Sequence, residues 1–221
     1  MRVQNQSISD RIYNEIRDCI TKRQYLPGQH LVEADLIKTF VCSRATMRGV
    51  LHRLVDDGLV EHFPNKGILV RRLSLKEMLD IQYIVQALEV LSARLAAESH
   101  DAQDIRAMGE IIDNYARHID GHDPKGASKW AVRLRMYLAG VSKNEYLLKL
   151  INQYYTILTT NSGSTFEWDH SHYENACWFL SAYRETLLAI EQGNADLAAK
   201  LTYNQMQHGI DMIKSDPSSF V

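Results

Sequence analysis

Apolar residues recur at helical spacing along most of this 221-residue chain. Near the start, Ile8, Ile12, Ile16 and Ile20 stand four apart, with Tyr13 and Cys19 beside them. They predict a helix over about 8–23, capped by Ser7 or Ser9. Pro27-Gly28 in "YLPGQHL" breaks the pattern as a turn. Leu36, Ile37 and Phe40 predict a short helix over about 33–40. The tripeptide "VCS" reads as a tight turn, and Ser43 as the N-cap of a helix that begins at Arg44. Met47, Val50, Leu51, Leu54 and Val55 form the inward face of that helix, and Gly58 is placed to end it. Two β-prone runs follow, "LVEHF" and "GILVRRL", separated by Pro64-Asn65-Lys66-Gly67; they read as a hairpin. The order helix, helix, turn, helix, hairpin is a winged helix-turn-helix in outline.

After Arg71-Arg72 the pattern changes to long helices. Ser74 and Glu77 have capping-box spacing. Helical periodicity then covers about 75–98, 102–119, 125–142, 144–160, 170–192 and 194–214. "DGHDP", "SKN", "NSGSTFEWD" and "QGN" punctuate these stretches. Six helices are enough for a bundle with an interior cavity. The expected fold is mainly α, with a winged helix-turn-helix over 1–73 and an all-helical bundle over 74–221.

Composition narrows the class. Hydrophobic residues are 45% and charged residues 24%, ordinary for a soluble globular protein. No apolar run approaches about 18 residues, so no membrane span is expected. The N-terminus lacks the unbroken apolar stretch of a signal peptide. Cys19, Cys42 and Cys177 form no C-x-x-C pair and read as reduced thiols of a cytoplasmic protein. Net charge is −2 but unevenly placed. Residues 1–75 carry twelve Lys and Arg against eight Asp and Glu, and the rest carries thirteen against nineteen. A polyanionic partner would therefore meet the N-terminal third.

Arg44 and Arg48 sit one turn apart at the start of the second helix of the motif, beside its apolar face. Two cations at a helix N-terminus oppose the helix dipole unless an anion is expected there. A helix that follows a short helix and a tight turn has the geometry that enters a DNA major groove. Arg44 and Arg48 would reach phosphates or guanine edges. Thr46 would touch a phosphate or a thymine methyl, and Lys66 with the Gly67 backbone would approach the minor groove or a phosphate. The competing reading is an ordinary solvated arginine pair. Other chemistry is thin. Asp169, His170 and His172 are near one another in sequence, but no Gly-rich phosphate loop, nucleophile elbow or H-E-x-x-H occurs.

The stretch from Tyr25 to Val70 resembles the DNA-binding domain of the GntR family of bacterial transcription regulators. Pro27-Gly28, Leu31, Glu33, Ser43-Arg44, Arg48, Leu51, Leu54, Gly58-Leu59-Val60 and Gly67 carry the likeness. The resemblance implies DNA contacts by Arg44 and Arg48, supported by Thr46, Lys66 and Gly67. One departure is Gly49-Val50, where the family usually has Glu-Ala after the second arginine; a glycine within a helix costs about 1 kcal/mol relative to alanine. The remainder is similar to the FadR-type FCD effector domain, through "LEVLSARLAAE", "SKNEYLLKL" and "ETLLAIEQGNADLAAKL".

That second resemblance implies a divalent metal held by an Asp and three His, which helps to bind a carboxylate effector. The corresponding positions here are Ala131, Arg135, Tyr183 and Gln205, and the arginine often found one turn before the family's Glu of the first bundle helix is Val85. This set does not suit a divalent metal, so no cofactor is expected. The pocket is then remade around an anionic or aromatic effector, with Arg135 as a fixed cation, Tyr183 and Gln205 as hydrogen-bonding groups, and Ala131 and Val85 also at the effector. A buried Arg135 needs either such a ligand or an internal carboxylate. A shifted register could instead recruit His170, His172 or His208 to a metal.

The resulting expectation is a cytoplasmic, homodimeric, ligand-responsive repressor on a palindromic operator, and not an enzyme. The rivals are a metal-dependent helical enzyme and a DNA-binding protein with an inert bundle.

Overall fold

The computed structural model describes residues 7–64, 66–161 and 170–216, except for the side chains of residues 170 and 171. The chain divides into two compact units. One comprises the described residues up to Ser74 together with the last turns of a later helix from Thr156 onward; the other comprises Leu75–Tyr155 and the helices after residue 163.

The first unit runs α1 (Ile8–Thr21), β1 (His30–Leu31), α2 (Glu33–Phe40), α3 (Arg44–Asp56), β2 (Val60–Phe63) and β3 (Gly67–Val70). Ser7 caps α1 by accepting from the Asp10 amide. Ile12, Ile16 and Ile20 are buried on α1, which packs against α3, where Met47, Val50, Leu51 and Leu54 are buried. Ile8, expected on the same face, is instead 63% exposed. As the first residue of α1 it does not reach the core. The three strands are antiparallel in the order β1-β3-β2, with His30 opposite Leu69 and Phe63 opposite Gly67. β1 was not legible, because two residues are too few to show alternation. Between α2 and α3, Val41 adopts a left-handed conformation with φ +48. The last turns of the later helix belong here through Asn161, whose side-chain oxygen accepts from the Leu73 amide at 2.8 Å. Its backbone carbonyl accepts from Arg23 at 3.3 Å.

The second unit is helical among its described residues: α4 (Leu75–Ser99), α5 (Ala102–Asp120), α6 (Pro124–Val141), α7 (Glu145–Asn161), α8 (His170–Glu191) and α9 (Ala195–Ser215). Asp101, Asp123 and Asn194 cap α5, α6 and α9, which explains why the polar punctuation set the boundaries so closely. Buried alanines 93, 96 and 97 on α4 and 198 and 199 on α9 let helix backbones approach. Met108, Ile112, Leu134, Leu138 and Ile190 fill the centre.

Candidate functional site

In the first unit, α3 presents its N-terminal end as a cationic surface. Ser43 Oγ accepts from the Thr46 amide at 3.1 Å and lies 2.8 Å from Thr46 Oγ1. The Thr46 hydroxyl is thus engaged in the cap, which leaves its methyl as the more available group. No acidic residue lies in the first turn of α3. The helix has three arginines in two different roles. Arg53, in its last turn, reaches Asp10 Oδ1 at 2.7 Å and sits 4.3 Å from the Tyr13 ring centre. Tyr13 in turn donates to Asp57, and burial followed by that bond pushes the Tyr13 phenol up to about 12. This network ties α1 to the far end of α3. Arg44 and Arg48 are exposed, and neither makes an ion pair with the described residues. Two exposed guanidiniums near a helix N-terminus, where the dipole is positive, are placed to meet an anion.

The wing carries an exposed Lys66, whose backbone amide donates to the Phe63 carbonyl at 3.1 Å. Asn65, in the same turn, is outside the described residues. Gly67 has φ +75, a conformation that favours glycine, and a Cβ there would also push the exposed His30 ring, whose Nε2 would lie 2.8 Å away, to another position.

In the second unit, a cavity of about 30 Å³ lies among α4, α5, α6, α8 and α9. That is room for one or two waters. Arg135, Tyr183 and Gln205, three of the positions at which the resemblance placed metal ligands, all line it. Glu89, Thr186 and Thr202 supply its remaining polar groups, and the rest of the wall is apolar. Arg135 has its internal carboxylate: Nη1 lies 3.0 and 3.1 Å from the two oxygens of Glu89, which is 4% exposed. Nη1 also reaches the Tyr155 hydroxyl at 2.7 Å, and Nη2 the Tyr183 hydroxyl at 3.1 Å. Tyr155 donates in turn to Glu89. Burial alone would lower the Arg135 pKa, but Glu89 and the two tyrosines outweigh it and hold the guanidinium well above its ordinary value. The Tyr155 phenol is raised, first by burial and then, against the pull of Arg135, by Glu89. Gln205 donates to the Ala182 carbonyl at 2.8 Å and to Thr186 Oγ1 at 2.6 Å.

Two expected residues stand apart from the cavity wall. Val85 is fully buried one turn before Glu89 on α4, and Ala131 packs in the apolar cluster one turn before Arg135 on α6. Each is a turn removed from the group that reaches the cavity and has no polar atom to offer it. Arg135 is also not the free cation the anionic-effector expectation required, because Glu89 neutralises it. Glu89, Thr186 and Thr202 were missed. Of the histidines proposed for an alternative metal, His208 Nε2 lies 3.0 Å from Asn175 Oδ1, and its ring packs 4.1 Å from Trp178. The His170 side chain, like Asp169, lies outside the described residues. Among the described residues no three His, Cys, Asp or Glu groups converge as a metal site would need.

A winged helix-turn-helix carrying a cationic helix end, in one chain with a helical unit that holds a mainly apolar cavity with a few polar groups, has the make-up of a DNA-binding regulator with a separate helical domain. Comparison with known proteins gives the family. Residues 8–70 match the bacterial regulatory proteins of the gntR family, and residues 80–208 match the FCD domain. The chain belongs to the FCD-domain transcriptional regulators of the GntR family, a family of regulators and not of enzymes. It is 21% identical over 203 residues to the uncharacterized HTH-type transcriptional regulator YdhC of Bacillus subtilis, spanning 91% of this chain and 89% of that one. It is 30% identical over 92 residues to the HTH-type transcriptional repressor RspR of Escherichia coli, spanning 42% of this chain and 40% of that one. Its fold is similar to that of E. coli McbR/YncC, with a TM-score of 0.78 at 18% identity, covering 96% of this chain and all of that one. No helix among the described residues is long and apolar enough to cross a membrane.

Proposed function

We propose that this regulator is a cytoplasmic homodimeric repressor that binds a palindromic operator and is released when a small metabolite enters the cavity of its helical unit. The observation that carries the reading is the convergence of Arg135, Tyr183 and Gln205 on one cavity, in a chain whose other unit carries two exposed arginines with no ion-pair partner among the described residues. Arg44 and Arg48 contact the operator, with Thr46, Lys66 and Gly67 in support. Two-fold symmetric dimers read two-fold symmetric sites. The effector acts by shifting the population between forms that fit the operator and forms that do not. The similarity to a protein named as a repressor favours repression over activation.

Selection of bound duplexes from a random pool tests the DNA half. The expected result is an inverted repeat bound by two chains. A single asymmetric site bound by one chain would overturn it. Screening metabolites for loss of operator affinity tests the effector half. A second reading, an inert bundle, draws on the small size of the cavity and on the internal pairing of Arg135. It is favoured if no compound both stabilises the protein and alters operator binding.

A further inference from the structure

The polar wall of the cavity has no net charge and one unanswered group. Arg135 and Glu89 are its two charged residues, and they cancel. Thr186 and Gln205 bond to each other and to the Ala182 carbonyl. Thr202, 2% exposed on α9, differs: its hydroxyl is buried with no hydrogen-bond partner among the described residues. A threonine in a helix ordinarily satisfies its hydroxyl on the carbonyl one turn back, and Thr202 does not. A buried orphan hydroxyl is costly, and the space beside it admits a partner, water or the oxygen of a ligand.

We propose that the cavity takes an uncharged, mainly apolar ligand with one hydrogen-bonding oxygen, held by the Thr202 hydroxyl, and that it rejects carboxylates. The inference rests on the effector reading above and gives the ligand its chemical class. A carboxylate entering the cavity would compete with Glu89 for Arg135 and leave one of the two carboxylates buried and unpaired. A cation would compete with Arg135 for Glu89 at the same disadvantage. A neutral oxygen disturbs neither, and pairs with the Thr202 hydroxyl, which has no partner among the described residues. The apolar remainder of the wall, including Met108, Ile112, Leu134 and Leu187, faces the body of the ligand. Met108 is unbranched and can rearrange to enlarge the space.

The test uses the full-length protein and three matched pairs: benzyl alcohol and benzoate, cyclohexanol and cyclohexanecarboxylate, 3-methylbutanol and 3-methylbutanoate. Calorimetric titration at neutral pH reads binding, and operator anisotropy reads function. At least one alcohol is expected to bind saturably, with its carboxylate at least about tenfold weaker. Thr202→Val should weaken that alcohol about fivefold, and Thr202→Ser should restore it. Glu89→Gln, which frees Arg135, should improve the carboxylate relative to the alcohol. Should Glu89→Gln fail to fold, the wild-type pairs and the Thr202 variants decide alone. A carboxylate binding the wild type as well as its alcohol overturns the proposal while leaving the effector reading intact. Alcohol binding indifferent to Thr202→Val also overturns it. If no pair binds, the cavity is a water site and the proposal fails. The effector reading falls separately, only if the metabolite screen also finds nothing that shifts operator affinity.

Discussion

The two units of this regulator use the same side chain in opposite ways. Arg44 and Arg48 stand exposed on α3 without an ion-pair partner among the described residues, at a helix end whose dipole adds to their charge. Arg135 is 16% exposed, in contact with a carboxylate and two tyrosine hydroxyls. An exposed guanidinium retains its hydration and can await a partner at little cost, whereas a buried one must bring its partner with it. Arg44 and Arg48 are therefore available to an outside partner, as Arg53 of the same helix is not, and Arg135 serves first to hold its own unit together. Substitutions that treat the three alike should separate them.

The largest expected effect is in the buried pair. Glu89→Ala removes the carboxylate and leaves Arg135 charged and uncompensated. We predict a loss of about 3–5 kcal/mol in unfolding free energy, measured by urea titration. Replacing both partners, as Glu89→Leu with Arg135→Met, should recover only part of that loss: apolar residues stand in for a buried pair at little cost, but the Tyr155 and Tyr183 hydroxyls lose the partners they bond. A loss below about 1 kcal/mol for Glu89→Ala would mean that Arg135 reaches water or another anion, and the contrast between the units would collapse.

Arg48→Ala is the matching experiment on the first unit. It should leave unfolding unchanged within about 0.5 kcal/mol, as an exposed residue without partners does. It should weaken operator binding by about 1–3 kcal/mol and relax selectivity at one base pair of each half-site if it reads a base. If Arg44 meets only phosphate, Arg44→Ala should weaken all sequences alike and flatten the salt dependence. Fluorescence anisotropy across operator variants and salt concentrations separates the two. Full affinity for both variants would return the pair to the solvated-arginine reading.

Legibility in the sequence also differed between the units. In the first, most boundaries near the candidate interface had a physical mark: Pro27-Gly28 to break, Ser43 to cap, Gly58 and Gly67 to turn at positive φ; the ends of α2, at Val32 and Val41, had none. Spacing alone could therefore place Arg44 and Arg48 on a helix end. What failed there was small: the two-residue β1 and the exposed Ile8. In the second unit the helices were legible for the same reason, but the cavity was not, since it forms where five helices meet. Arg135, Tyr183 and Gln205 were found only by counting along the family resemblance, and the same count picked Val85 and Ala131, which the wall does not use. Glu89 did carry a signal, as a lone carboxylate continuing the buried stripe of Ile81 and Val85 and leading to Ser92, Ala93 and Ala96. A charge on an apolar stripe demands a partner, and Arg135 was the cation already in question. Thr202 carried none, because a helical threonine usually bonds to its own backbone and only the packed structure shows that this one does not.

The smallest expected effects lie within the DNA-binding unit and test how far its geometry is set by function. Gly49 sits in the middle of α3 with nothing within 4 Å of where a Cβ would be. Val41, 87% exposed, takes a left-handed conformation at the end of α2, which a β-branched residue adopts only under strain. The helix has a glycine where a side chain fits, and the turn has a branched side chain where glycine fits. Gly49→Ala should stabilise the protein by about 1 kcal/mol. Val41→Gly should stabilise it by less, because the strain relieved is partly offset by the greater freedom of glycine in the unfolded chain. Both gains are readable as thermal midpoints. Gly49 neighbours Arg48 on the exposed side of α3, so operator affinity is the second readout. If Gly49→Ala stabilises the fold and leaves affinity unchanged, the glycine is a tolerated defect. If it stabilises the fold and weakens binding, the added methyl stands where the DNA backbone approaches, which would place the exposed side of α3 against the duplex as the unpaired arginines require.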